Sequence, residues 1–124
     1  HAGEYIKLLG WVEHDDIIEK SKQWKYLLFP TDTEGMPNGL LEMMGRGIPA
    51  LASPVGGIKD IVEDHKNGIV LAKTSVDSIK DGLTQIINTE ESLYIACAKE
   101  AFNVVNREYS LDGAIKNARG VIGV

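Results

Sequence analysis

Short apolar runs rich in β-branched or aromatic residues alternate, through the first half of the chain, with stretches of helical period. Leu8-Leu9-Gly10-Trp11-Val12 is the first strand-like run, and Ile17, Ile18 and Trp24 give the next segment a loose apolar face. Tyr26-Leu27-Leu28-Phe29 follows and stops at Pro30, which has no N–H for a ladder. Leu40, Leu41, Met43 and Met44 predict a helix over 37–46, with Gly45 and Gly47 marking its end. A strand over 49–53, a turn over 54–57, a short helix over 58–63 and a last strand Ile69-Val70-Leu71 after Asn67-Gly68 complete this half. From Ser75 the period is helical only. Val76, Ile79, Leu83, Ile86 and Ile87 share one face, as do Leu93, Cys97, Ala101, Val104 and Val105, and then Leu111, Ala114, Ile115, Ala118, Val121 and Ile122. Uniformly apolar strands are buried on both faces, and strand–helix alternation favours parallel pairing through right-handed crossovers. The expected class is α/β, doubly wound, with four strands and with the later helices covering the sheet.

A chain of 124 residues bounds this to one compact unit. The net charge of −5 opposes a nucleic-acid backbone and gives no reason to expect an anionic membrane surface, so any bound anion must be held locally. A single cysteine, Cys97, forms no internal disulfide, and no apolar run is long enough to span a bilayer. These features read as a protein of the reducing cytoplasm. The start at His1, without a signal stretch, is expected of a fragment of something longer.

In an open parallel sheet, ligands bind outside the carboxyl ends of the strands. The loops after Val12, over 31–38 and over 53–57 therefore matter. The second ends in Pro37-Asn38-Gly39 at a helix start. Proline suits the first helical position, and the N–H groups of Asn38, Gly39 and Leu40 would point out of the helix end, making an anion site without a basic side chain. Gly39 would let a phosphate approach closely. The plain alternative is that these residues simply start a helix. Glu34 and Glu42, eight positions apart, flank that start. Glu100 and Glu108 share the spacing without any loop between them, so spacing alone carries nothing. A carboxylate accepts two hydrogen bonds at once, which suits the vicinal hydroxyls of a ribose or hexose.

The run from Phe29 through Thr31-Asp32-Thr33-Glu34-Gly35-Met36-Pro37-Asn38-Gly39-Leu40-Leu41-Glu42 to Ser53 resembles the E-x7-E region of the retaining GT-B glycosyltransferases. Leu9-Gly10-Trp11-Val12 is similar to that family's F-x-G-x-V block. Ser53-Pro54-Val55-Gly56-Gly57-Ile58, Asn67-Gly68-Ile69-Val70-Leu71 and Tyr109-Ser110 resemble its later blocks, in order. The resemblance implies a Rossmann-like parallel sheet flanked by helices, with residues 1–124 forming a partial C-terminal nucleotide-sugar-binding domain of a GT-B fold. It implies a donor site of Val12, Glu34, Gly35, Met36, Asn38, Gly39, Leu40 and Glu42. Glu34, the catalytic residue, would hold hydroxyls of the transferred hexose-type sugar, Glu42 those of the ribose, and the main chain near Val12 would face the base. The donor would be UDP- or GDP-linked, with no metal or other cofactor, and the acceptor a polysaccharide or glycolipid.

Departures from the family pattern matter. Pro37 stands where many members have glycine, which removes one N–H from the sugar site. The family's Arg and Lys that neutralise the diphosphate, its acceptor domain and the first two strands of this domain have no counterpart here. In the family's strand order 3-2-1-4-5-6, the run at Leu8 would lack its neighbours, so it must pair with Tyr26–Phe29 or be completed by another polypeptide. The chain alone is expected to lack turnover. Its partners would be the nucleotide sugar and the missing N-terminal domain, with no nucleic acid, and any peripheral association with the inner membrane face would run through that missing half. The alternatives are a non-catalytic α/β interaction module and a GT-B sugar-nucleotide epimerase.

Other residues have plainer readings. His14 and His65 read as surface residues without a second metal ligand, and Cys97 as a buried structural thiol. Trp11 and Trp24 read as core or rim packing, Gly56-Gly57 as a turn, Asp32 as a solvated loop carboxylate, and Lys59, Asp60, Glu63, Asp64 and Lys66 as a wet helix face.

Overall fold

A computed structural model describes residues 2–123; His1, Val124 and the side chains of Ala2, Asn117 and Ile122 lie outside the described residues. In chain order the elements are α1 (Ala2–Tyr5), α2 (His14–Ser21), β1 (Leu27–Phe29), α3 (Asn38–Met44), β2 (Ala50–Ala52), α4 (Ile58–Ile61), β3 (Gly68–Val70), α5 (Val76–Asn88) and α6 (Glu91–Val104), then a π-helical turn (Val105–Tyr109) and α7 (Leu111–Ile122). The strands form one parallel sheet in the order β1-β2-β3, with Leu27 beside Ala50, Ala50 beside Gly68 and Ala52 beside Val70. The α/β class is as expected, and the order is the one the resemblance gives its last three strands.

Period-two alternation sorts the central strand onto two faces. Ala50 and Ala52 pack with Leu40 and Met44 of α3, Ile58 and Ile61 of α4, and Ala101 and Val104 of α6. Leu51, with Ile69 and Leu71, packs against Ile79 and Ile86 of α5. Every residue of β2 is buried, which is why the strand is apolar without alternation. Helix α5 sits so low on the sheet that a Cβ at Gly82 would lie 2.5 Å from Leu51 Cδ1. Gly47, at φ +80°, ends α3, and its N–H and that of Ile48 bond the carbonyls of Met44 and Met43.

Three expectations are corrected. Leu8-Leu9-Gly10-Trp11-Val12 forms no strand: residues 6–13 are neither helix nor strand, and Leu8 and Trp11 are 92% and 82% exposed. A strand is held by ladder bonds to a neighbour, and this run meets none, neither at β1 nor elsewhere among the described residues. Trp11 is therefore not a packing residue, whereas Trp24 does sit at the rim. Helix α3 begins at Asn38 and not at Pro37, whose φ and ψ of −82° and 84° place it before the first turn. The third helical set does not cover the sheet: α7 leans on the π-helical turn and leaves Leu111, Ile115 and Val121 exposed. Val76 and Ile87 of α5 and Leu93 of α6 are likewise exposed, because α5 buries a narrower stripe centred on Gly82.

Among the described residues no strand pairs with the other edge of β1. Leu27 N–H donates to Pro49 O and Phe29 O accepts from Ser53 N–H, so by alternation the amide groups of Leu28 point away from β2. The Leu28 side chain, next to Leu51, is 45% exposed.

Candidate functional site

The carboxyl ends of the strands are tied by short polar links. Thr74 Oγ1, beyond β3, donates to Thr31 O at 3.1 Å and lies 3.0 Å from the buried Ser53 hydroxyl beyond β2. Thr31 Oγ1 donates to Thr33 O at 2.8 Å, which turns the chain into the 31–37 loop. That loop is fixed by contact with Gly56 and Gly57. Gly57 N–H donates to Gly35 O at 3.1 Å, and Gly56, at φ +51°, lies so close that a Cβ there would fall 1.8 Å from Glu34 O. The glycine pair thus serves a turn, as expected, and also presses the backbone of Glu34 and Gly35 into position. The Glu34 side chain is half-buried and makes no hydrogen bond among the described residues.

Pro37 is buried, and its carbonyl accepts the first helical bond, from Leu41 N–H at 3.1 Å. No side chain caps the helix, and among the described residues the N–H groups of Asn38, Gly39 and Leu40 have no acceptor. These are the orphan donors of a helix start, at the positive end of its dipole. Met36, Asn38 and Gly39 are exposed, and nothing lies within 4 Å of a Cβ placed at Gly39, so the surface in front of these amides is an open ledge. Leu40 is different: its side chain is wholly buried in the core, and it can serve the site only through its N–H.

Glu42 lies one turn after Asn38 on the same helix face, and helical side chains tilt toward the N-terminus. Its carboxylate is not free: Oε1 lies 2.7 Å from His14 Nε2. His14 is the first residue of α2, two positions after the half-buried Val12. One hydrogen bond therefore links the Val12 loop to the ledge, and Asp15 Oδ1 lies 3.7 Å from the other ring nitrogen. His14 is exposed, as expected of a surface residue, and its contact with Glu42 adds a role the sequence does not announce. The available signal was its place at the helix start that follows the run ending at Val12. His65 stays on the surface, and Asp32 stays solvated. Cys97 is half-buried rather than buried as expected; burial still pushes its thiol pKa up to about 11, so it stays protonated, as a structural thiol does. Ser110, in the late Tyr-Ser block, caps α7 by accepting from Gly113 N–H, and Asn67 is buried with its amide bonded to Glu63 N–H and Ile61 O. Both blocks are thus explained by structure alone. The start of α3 presents backbone donors that have no acceptor among the described residues, with the Glu42 carboxylate one turn further along the same helix.

Comparisons with known proteins show the family and the fold. Residues 1–104 match the family described as Glycosyl transferases group 1. An uncharacterized glycosyltransferase from Methanocaldococcus jannaschii is 31% identical over 87 residues, covering 70% of this chain and 25% of the relative. The UDP-Gal:alpha-D-GlcNAc-diphosphoundecaprenol alpha-1,3-galactosyltransferase of Escherichia coli is 27% identical over 109 residues, covering 82% of this chain and 27% of that enzyme. The chain thus spans about a quarter of the length of these relatives. Among solved structures, the C-terminal domain of a glycosyl transferase group 1 family protein from Francisella tularensis superposes with a TM-score of 0.73 at 21% identity, over 83% of this chain and 53% of that one.

Proposed function

Since this chain belongs to the Glycosyl transferases group 1 family, we propose that it is the nucleotide-sugar-binding part of a retaining glycosyltransferase. The transferred group is a hexose-type sugar, and the acceptor a polysaccharide or glycolipid. The observation that carries this reading is the family match over residues 1–104, which takes in the Val12 loop, Glu34, the start of α3 and Glu42 together. The acceptor class is supported by the lipid-linked sugar named for the E. coli relative.

In this reading the diphosphate of a UDP- or GDP-sugar lies on the ledge, on the N–H groups of Asn38, Gly39 and Leu40. Glu34 and Gly35 face the transferred sugar, with Met36 beside it. Glu42 accepts from the ribose hydroxyls, and the main chain near Val12 faces the base. As the sugar–phosphate bond breaks, negative charge gathers on the diphosphate, and preoriented donors stabilise it without reorganising. The acceptor domain and the basic residues that complete the diphosphate site belong to the rest of the enzyme. This stretch alone binds donor without turnover.

A nucleotide that binds only the native state at ten times its Kd should raise stability by about 1.4 kcal/mol. UDP, GDP and their sugars are expected to differ, one base raising the melting temperature and the other not. Glu42→Gln should weaken the effective nucleotide about tenfold, the loss of one charge-assisted hydrogen bond. No thermal response to either nucleotide would leave the non-catalytic module standing. His14→Ala should leave the melting temperature alone, its ring being exposed, yet weaken the same nucleotide several-fold by freeing Glu42 to rotate; His14→Gln, which keeps a donor, should recover part of the loss. Equal affinity in all three proteins would show that His14 does not orient Glu42.

A further inference from the structure

The Glu34 carboxylate has no hydrogen-bond partner among the described residues, so it stands wherever the backbone on either side of it is held. After it, Gly57 N–H holds Gly35 O. Before it, Thr33 O accepts from Thr31 Oγ1 at 2.8 Å, and Thr31 N–H donates to Phe29 O at 3.2 Å. Thr31 is held in turn by its carbonyl, which accepts from Thr74 Oγ1, forty-three positions away. Thr74 also meets the Ser53 hydroxyl, and counting protons orders the three groups. A hydroxyl has one proton to give, and a carbonyl only accepts. Ser53 is wholly buried, and Thr74, at 3.0 Å, is the partner of its hydroxyl among the described residues. With the Thr74 proton turned to Ser53, the buried Ser53 proton would have no acceptor and Thr31 O would lose its side-chain donor. The arrangement that leaves nothing unpaired has Ser53 O–H donating to Thr74 Oγ1 and Thr74 O–H donating to Thr31 O. The backbone of Thr74 is itself held by regular structure. Leu71 N–H donates to Ala52 O at 2.8 Å beyond β3, Ser75 N–H donates to Lys73 O at 3.0 Å across Thr74, and the Ser75 hydroxyl caps α5.

We infer that Thr74 is a positioning residue for Glu34: with its proton directed by Ser53, it pins Thr31 and, through Thr31, the backbone that carries the glutamate. The consequence for ligands rests on the donor reading above, in which Glu34 meets the transferred sugar. Thr74 then sets the preference for a sugar nucleotide over the bare nucleotide, while the amides of α3 hold the diphosphate without it. A hydroxyl that merely stabilised the fold would affect both ligands alike. Valine at this position would keep the shape of threonine, yet it has no proton to give and would leave the Ser53 hydroxyl buried without a partner.

The test compares the parent chain with Thr74→Val, Thr74→Ser and the double variant Thr74→Val, Ser53→Ala. Thr74→Val should speed deuterium uptake at the Thr31 and Gly57 amides, which close the loop on its two sides, about tenfold, while the amides of β2 and α5 keep their rates. In titrations with UDP-glucose, UDP, GDP-mannose and GDP, it should weaken the sugar nucleotide that binds the parent about tenfold and leave the matching nucleotide within about twofold. Thr74→Ser, which keeps the proton, should restore both quantities. The double variant removes the stranded hydroxyl, and replacing both partners of a buried bond costs little stability, so it should recover the melting temperature but neither the slow loop exchange nor the sugar preference. Thr84→Val makes the same chemical change on the exposed side of α5, where Thr84 Oγ1 bonds Lys80 O, and should alter nothing. Loop amides that exchange at the parent's rate in Thr74→Val overturn the inference, as does an equal loss of sugar nucleotide and nucleotide. So does a double variant that regains the sugar preference along with its stability. Faster loop exchange in a protein whose parent binds none of the four ligands would support the anchoring of Glu34 and sink the donor reading alone.

Discussion

Replacing Gly56 with alanine should destabilise the protein by at least about 2 kcal/mol, more than a helix-surface glycine can account for. Two costs combine. The backbone there is at φ +51°, which an L residue adopts at a penalty, and the new Cβ would fall 1.8 Å from the carbonyl oxygen of Glu34. The obstructing atom is backbone, so the 31–37 loop itself must move. Gly57→Ala should act in the same direction, its Cβ lying 2.5 Å from Gly35 O, while Gly120→Ala, which meets nothing within 4 Å, serves as the control. Urea midpoints measure the cost, and nucleotide titration of the still-folded fraction measures the displacement of Glu34. A Gly56→Ala protein as stable as its parent would mean the loop is not braced in this way.

Leu40→Ala should cost about 2–5 kcal/mol, because its side chain is fully buried among Met44, Ala52 and Ile58. Against a total of about 5–15 kcal/mol for a domain, that is enough to unfold a fraction of the molecules near physiological temperature. Leu40→Met, which conserves volume, should cost less than about 1.5 kcal/mol. The pair separates the two parts this residue was expected to play. If only its N–H faces the ledge, the methionine variant keeps nucleotide affinity as well as stability; a methionine variant that folds normally but loses the nucleotide would place the side chain in the site.

Periodicity and turn chemistry made the three strands and most helices legible, because Pro30, Gly47 and Asn67-Gly68 punctuate the chain where the backbone needs them. Leu8-Leu9-Gly10-Trp11-Val12 was misread for a physical reason: apolar composition says what a run could bury, and pairing depends on a neighbour that composition does not reveal. The same limit explains α7, whose apolar spacing is regular yet faces solvent. At the site, Pro37-Asn38-Gly39 and the two glutamates could be read from order and spacing. The bracing of Glu34 by Gly56-Gly57 could not, since it joins segments twenty-two positions apart through main-chain atoms that carry no residue identity. His14 was hidden likewise: its link to Glu42 spans two helices.

The bare start of α3 has a kinetic consequence. With no side chain to close it, the first turn is free to fray, and an anion settling there would act as the absent cap, so that occupancy and local order become one equilibrium. Deuterium uptake at Asn38, Gly39 and Leu40 would then slow in proportion to ligand concentration, while the amides of β2 kept their pace.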